Sequence, residues 1–123
     1  MPDQLNRQRA AKFRELARLY LGSEGVIVEQ RPQAYKLSAR LSESHPASHL
    51  TGLDRWAILT RNERVLDLSG ALDAAQAAAK HDGKGRAAVV AYRAARGAGE
   101  AYVTMTLETF AAVLRDDVER GEA

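Results

Sequence analysis

The residues that offer chemistry lie between positions 45 and 54. His45 and His49 are four apart, the spacing at which two histidines on a helix bind zinc, but Pro46 lies between them and no third ligand is evident. The pattern therefore favours two loop histidines. Ser48, His49 and Asp54 supply the residue types of a nucleophile, a base and an orienting acid, yet their spacing carries no geometric argument for a catalytic triad.

Phosphate-binding loops and thiol chemistry are not indicated elsewhere in the chain. The segments 83–86 (GKGR) and 97–99 (GAG) are too short for a phosphate-binding loop and lack the following Lys-Ser/Thr pair and helix, so both are typical of turns. The chain has no cysteine, which excludes disulfides, thiolate catalysis and zinc sites built on cysteine.

Positive charge is concentrated at the N-terminus. The net charge of +2 is mild, but residues 1–40 hold eight Lys/Arg against four Asp/Glu, a local net charge of +4. Such a field suits phosphate groups, and it equally suits a solvated helix face.

Length and composition indicate one ordinary domain over residues 1–123, with a polar tail over 116–123. Of the 123 residues, 46% are hydrophobic and 28% charged, typical of a globular protein with a single core. The chain has no apolar run of about 18–20 residues and no signal-peptide pattern, so we expect no membrane partner.

A predicted hairpin lies at the centre of the chain. Over 56–61, Trp56, Ile58 and Thr60 alternate with Ala57, Leu59 and Arg61, and a second run follows over 65–68. The polar pair Asn62-Glu63 separates the two runs. Period-two alternation broken by a short polar connection predicts two strands joined by a turn.

The flanking segments predict an α/β fold. Residues 33–50 are expected to form an irregular loop, in which 35–41 would be a helical turn or a strand. The predicted order is α-β-β-β-α-β-β-α, a mixed β-sheet flanked by helices. Its other elements are helices over 5–21, 69–81 (capped by Ser69) and 107–119 (capped by Thr106), and strands over 26–28, 87–92 and 101–105. The last helix is expected to turn Leu107, Phe110, Ala111 and Leu114 inward.

Four blocks of the chain resemble the PD-(D/E)XK nucleases. They are 56–58 (WAI), 66–75 (LDLSGALDAA), 87–97 (AAVVAYRAARG) and 101–110 (AYVTMTLETF). Together they are most similar to the small Holliday-junction resolvases of archaea and of actinobacterial viruses. The resemblance covers nearly the whole chain and implies a restriction-endonuclease-like fold.

The resemblance also implies where a catalytic site would lie. The family holds Mg²⁺ with an Asp and a Glu or Asp beside a lysine; those positions fall here on His49, Leu59 and Arg61, and Glu15 is the only carboxylate near the acid of the first helix. A leucine cannot ligate Mg²⁺. Arg61 cannot replace the lysine, because its guanidinium group neither gives up a proton nor acts as a compact point charge. We therefore expect a degenerate nuclease, a pseudoenzyme with no catalytic residue, no metal and no cofactor.

A shifted register keeps an enzymatic alternative open. Asp54 with Asp67-Leu68-Ser69 imitates the acidic motif, although Ser69 stands at the lysine position, and Glu63 is a second possible partner of Asp54. In that reading the chain is an active Mg²⁺-dependent endonuclease. Otherwise both aspartates are strand-end or capping carboxylates.

If the chain is a degenerate nuclease, we expect it to act as a binding or structural subunit. The resemblance implies a homodimer, formed through a sheet edge or the alanine-rich helix over 71–79. One possible role is a DNA-binding relic; the other is a protein-interaction module, such as a structural protein of a bacteriophage virion or capsid. The location would be cytoplasmic or in the virion. The residues expected to contact phosphates are Arg7, Arg14, Arg18, Lys36 and Arg61.

Overall fold

The computed structural model describes residues 2–31, 48–63 and 65–121, with side chains described from residue 7 onward. The expectations for 35–41, for Lys36 and for His45 lie outside the described residues. The helices are α1 (Pro2–Ser23), α2 (Leu68–Asp82) and α3 (Leu107–Glu119), with a short 3₁₀ turn at Ala98–Glu100. The strands are β1 (Glu29–Gln30), β2 (Leu50–Thr51), β3 (Trp56–Arg61), β4 (Arg86–Ala91) and β5 (Tyr102–Thr104).

These strands form one five-stranded sheet in the order β1-β2-β3-β4-β5. β3 and β4 are parallel, in register from Trp56 opposite Arg86 to Arg61 opposite Ala91. The other three pairs are antiparallel. The predicted α/β class, a mixed sheet flanked by helices, is confirmed.

β4 is the central, doubly covered strand that its apolar run predicts. Ala87, Ala88, Val89 and Ala91 are all buried, and Val89 has no exposed surface. A strand covered on both faces carries apolar residues at successive positions rather than at alternate ones. The prediction of a buried central strand is confirmed, with its bounds shifted by one residue to Arg86–Ala91.

The alanine-rich face of α2 packs against one face of the sheet. The buried cluster comprises Ala57, Leu59, Ala71, Ala75, Ala78, Ala79, Ala87 and Val89. Small side chains let the helix backbone come close to the strands, as the sequence predicts. This face is buried against its own sheet, and the expected homodimer stays a prediction.

The opposite face of the sheet is covered by α1. Its core comprises Ala17, Val28, Leu50 and Ile58, with Leu21, Val26, Leu53, Trp56 and Val90 packed around it. Near the C-terminal end of α1, a Cβ placed on Gly99 would lie 2.8 Å from ring atoms of Tyr20. Any larger residue at this position would require the half-exposed Tyr20 ring to shift.

The second half of the predicted hairpin is wrong. Val65 lies at a bend, and helix α2 already begins at Leu68. The residue that caps the helix is Asp67 rather than Ser69, because the Asp67 side chain accepts a hydrogen bond from the backbone N–H of Gly70. A capping carboxylate two residues after Val65 ends the extended run before it can pair.

Two other strand assignments also differ from the sequence prediction. The β-branched run 26–28 lies before strand β1 rather than in it, and Ile27 is largely exposed. β2 falls at the end of the predicted loop. Each of these strands has only two residues and is defined by its partner, so neither leaves a periodic signal in the sequence.

The last helix begins where the sequence predicts, at the Thr106 cap, whose hydroxyl oxygen accepts from the Thr109 N–H. Its expected inward face is wrong: no residue of α3 is buried, and Leu107 is 80% exposed. Asp116, the first residue of the expected polar tail, belongs to α3 and accepts from Arg86 Nη2 at 2.7 Å. Among the described helices, none combines the length and apolarity needed to cross a membrane.

Candidate anion-binding site

His49 is held by two backbone groups of β3 and by the N–H of Arg31, which directly follows β1. Its N–H donates to the Ile58 carbonyl at 2.8 Å, and its carbonyl accepts from the Arg31 N–H at 2.9 Å. On the side chain, the Thr60 N–H donates to Nδ1 at 2.9 Å, and the Thr60 hydroxyl lies 3.0 Å from the same nitrogen. The ring is therefore fixed in position and orientation.

These contacts define the protonation state of the ring. Because a backbone N–H donates to Nδ1, that nitrogen carries a lone pair, and the proton of the neutral ring is on Nε2. Burial, together with the charges of Arg14, Arg61 and Arg31, lowers the pKa of His49 to about 3. At neutral pH His49 is an uncharged hydrogen-bond donor through Nε2.

The arginines that depress this pKa come from three separate segments. Arg14 lies on α1, Arg31 directly follows β1, and Arg61 ends β3. We call these three residues and His49 the cationic cluster. Arg61 has a carboxylate nearby, since its Nε lies 3.6 Å from Glu63 Oε1. That carboxylate is half exposed, so the bridge leaves much of the positive field in place.

An open cleft adjoins the cationic cluster. It has a volume of about 450 Å³ and is lined by Arg9, Lys12, Phe13, Leu16, Asn62 and Tyr92. Two of the lining residues are sequence neighbours of cluster residues, since Phe13 precedes Arg14 and Asn62 follows Arg61. The Phe13 and Tyr92 rings meet edge to face at 5.4 Å, which forms the apolar floor.

The position of the cleft in the sheet is one that binds ligands in many α/β proteins. Asn62 and Tyr92 directly follow β3 and β4, so the cleft opens at the carboxyl ends of the two parallel strands. In open α/β sheets, ligands bind in the crevice outside these ends. Arg9 and Lys12 add two exposed cations on α1, neither paired with a carboxylate within the described part of the chain.

Arg31 is positioned by the carboxylate of Asp82 at the end of α2. Asp82 Oδ2 accepts from Arg31 Nη2 at 3.1 Å and from the Ser48 N–H at 3.0 Å. Partial burial would raise the pKa of Asp82, but the hydrogen bonds from Ser48 and the charge of Arg31 outweigh it and hold the pKa below its ordinary value. Asp82 therefore contacts the residues on both sides of the segment 32–47, Arg31 and Ser48.

The structure brings together only some of the residues predicted for the nuclease-like site. The charges of Arg14 and Arg61 act on His49, whose ring contacts Thr60, while Leu59 packs on the opposite face of the sheet from Thr60, against α2. Glu15 lies outside the cluster and pairs with Arg18, which lowers the pKa of the Glu15 carboxyl.

The remaining residues predicted for phosphate contact are dispersed. Arg7 is exposed on the first turns of α1, Arg18 is half exposed beside Glu15, and Lys36 lies outside the described residues. Of the five, Arg14 and Arg61 belong to the cationic cluster.

The carboxylates of the alternative enzyme site do not form a cluster. Asp54 is exposed at a bend before β3, and Asp67 caps α2. Over residues 2–31, 48–63 and 65–121, no group of three or more His, Asp or Glu side chains could hold a metal ion.

Sequence reasoning missed Arg9, Lys12, Arg31 and Tyr92. A signal for the first two was present, since positions 9, 12, 13 and 16 recur at helical spacing and combine two cations with two apolar residues. For Arg31 and Tyr92 no local signal exists, because their place depends on how β1 and β4 join the sheet.

The chain was compared with protein-family models, with curated proteins and with solved structures. None of them matches it. The geometry of the site is therefore the basis for the functional proposal.

Proposed function

We propose that this protein is a non-catalytic nucleic-acid-binding domain with a restriction-endonuclease-like fold. The observation that carries the proposal is the convergence of Arg14, Arg31 and Arg61 on a neutral His49, next to a cleft edged by Arg9 and Lys12. Phosphate groups are the anions that such a surface would bind in sequence-independent contacts.

Each part of the site would have a defined task. Arg9 and Lys12 are exposed and would contact successive phosphates, while the partly buried arginines would supply a fixed positive field behind them. His49 Nε2–H is an uncharged donor, suited to a phosphate oxygen. Tyr92 is partly exposed over Phe13, and its ring would offer a face or edge to a sugar or base.

The same charges argue against phosphodiester cleavage. Metal-dependent hydrolysis needs at least two hard oxygen ligands near the scissile phosphate. Around His49 the charged groups that act on the ring are guanidinium groups, and the two carboxylates near them, Asp82 and Glu63, are each paired with one of these arginines. The Leu59 side chain faces away from this side of the sheet. The mixed sheet with helices on both faces is compatible with the proposed fold.

We predict salt-sensitive binding of DNA that depends on the cleft. Fluorescence anisotropy with a labelled four-way junction and a linear duplex, at about 50 mM and about 200 mM salt, should show affinity falling steeply with salt. Lys12→Glu and Arg9→Glu should each weaken binding at least severalfold and reduce the salt slope by about one, because each removes a phosphate contact.

Lys80→Glu is the matched control, because Lys80 is also an exposed helical lysine but lies on α2. It causes the same change in net charge and should leave most of the affinity intact. Absence of binding at the lower salt concentration would contradict the nucleic-acid function. Equal losses in Lys12→Glu and Lys80→Glu would show that only net charge matters and that the cleft is not the site.

A second prediction separates this function from that of an active endonuclease. The purified protein should not cleave a four-way junction or nick supercoiled plasmid with Mg²⁺ or Mn²⁺, for the electrostatic reason given above. Nicking that is lost in Asp54→Asn or Asp67→Asn would establish the alternative acidic site. Asparagine also caps helices well, so loss of activity in Asp67→Asn could not be blamed on loss of the α2 cap.

A protein-interaction subunit, for example of a virion, is the second candidate function. The observation that favours it is the exposed apolar side of α3, where Leu107, Phe110, Leu114 and Val118 face solvent. Exposed apolar patches of this kind mark protein contacts. A folded protein that binds no DNA at low salt would favour this function.

A further inference from the structure

α3 presents an apolar stripe to solvent. Leu107, Phe110, Leu114 and Val118 recur at spacings of three and four residues, so they lie on one side of the helix. Their exposed fractions are 80%, 45%, 45% and 63%. The small Ala111 lies in the middle of the stripe and is also exposed.

The other side of α3 already attaches the helix to its own domain. Asp116 accepts from Arg86 Nη2 at 2.7 Å and lies 3.6 Å from Arg55 Nη1, and the Ala112 carbonyl lies 3.4 Å from Arg86 Nη2. These ion pairs hold the pKa of Asp116 below its ordinary value, first through the hydrogen bond from Arg86. The helix therefore cannot rotate to bury its stripe without breaking these contacts.

Two charges of opposite sign lie along one margin of the stripe. Glu108 and Arg115 are seven residues apart, hence two helical turns apart on the same flank. Both are exposed, and neither forms an ion pair within the described part of the chain. Their arrangement matters because an antiparallel copy of the same helix presents these charges in reverse order.

We propose that the stripe of α3 binds a second copy of this chain, with the two α3 helices antiparallel across a two-fold axis. An axis passing near Ala111 and Ala112 places Glu108 of each copy level with Arg115 of the other. Because the interface is isologous, this ion pair forms twice. The axis also places each Phe110 near the partner's Leu114, and the small Ala111 at the crossing permits close approach.

Self-complementary charge is what selects a second copy over an unrelated partner. A helix pair of this length forms a small interface, so we expect a dissociation constant in the micromolar range. The ion pairs lie at the rim, where they contribute modestly to affinity but fix the relative orientation of the two helices.

The test is the solution mass of charge-reversal variants, measured by light scattering and sedimentation equilibrium. The native chain should form a dimer of twice its 13.4 kDa mass. Glu108→Arg and Arg115→Glu should each weaken dimerisation roughly tenfold, because each variant places like charges opposite one another twice. The double variant Glu108→Arg/Arg115→Glu should restore the native affinity, since the pairs re-form with reversed sign.

Leu114→Glu should abolish the dimer while the circular-dichroism spectrum stays native, because this side chain contributes to the interface rather than to a buried core. Asp73→Arg is the matched control: it reverses an exposed charge on α2 and should leave the dimer intact. A native chain that remains monomeric at concentrations on the order of 100 µM would overturn the proposal. Failure of the double variant to restore dimerisation would also overturn it, and would indicate a different partner for the stripe.

Discussion

Val89→Asp should abolish folding of the soluble protein. Val89 has no exposed surface and lies in the middle of β4, between the α1 and α2 layers. An unpaired carboxylate at this position costs several kcal/mol, and a domain of this size is stabilised by about 5–15 kcal/mol in total. The expected result is insoluble expression, or a soluble chain without a cooperative thermal transition by circular dichroism.

The matched control is Val103→Asp on the neighbouring strand. Val103 pairs with the residue after Val89, but it lies on the edge strand β5 and is 57% exposed. It should therefore remain folded, with a melting temperature lowered by only a few degrees. A Val89→Asp protein that melts like the Val103→Asp protein would refute the assignment of β4 as the central strand.

The parts of this fold that sequence reasoning predicts are those specified by local pattern. An uninterrupted apolar run of six residues identifies β4, and the small-residue face of α2 implies close packing against a sheet. The Thr106 cap marks the start of α3. In each case the signal and the structure it specifies lie within the same dozen residues.

The parts that could not be predicted depend on distant partners. β2 consists of Leu50 and Thr51 and exists because Leu50 pairs with Ile58. In the same way, the environment of His49 is made by side chains from α1, from the end of β1 and from the end of β3. The resemblance to the nuclease family placed Leu59 beside His49, but Leu59 faces the α2 layer.

The α3 stripe shows a second limit of sequence analysis. Periodicity reveals that Leu107, Phe110 and Leu114 share one side of a helix, but it does not say whether the covering surface belongs to the same chain. Here the side of α3 that faces its own domain carries Asp116, bound to Arg86 and Arg55. With its polar anchor on the side that faces its own domain, α3 leaves its exposed apolar side for the second copy that we propose as its partner.

His49 should make the protein sensitive to mild acid. Its ordinary pKa is 6.5, and burial together with Arg14, Arg61 and Arg31 lowers it to about 3 in the folded state. As the pH falls below about 6.5, the unfolded chain binds a proton that the folded chain does not, so the free energy of unfolding decreases. Between pH 7 and pH 4 the expected loss is about 3 kcal/mol, and the decrease from this group ends once the pH falls below the folded-state pKa.

Urea denaturation at several pH values between 7 and 4 measures this loss, and His49→Asn is the variant that isolates it. The Asn Oδ1 can accept from the Thr60 N–H in place of Nδ1, but the side chain does not titrate. The variant should lose most of the slope over this range, leaving the smaller contribution of carboxylates such as Asp82 at the acidic end. If the native protein and His49→Asn had the same slope, His49 would not be the buried neutral group at the centre of the cationic cluster. The proposed phosphate site would then lack its central hydrogen-bond donor.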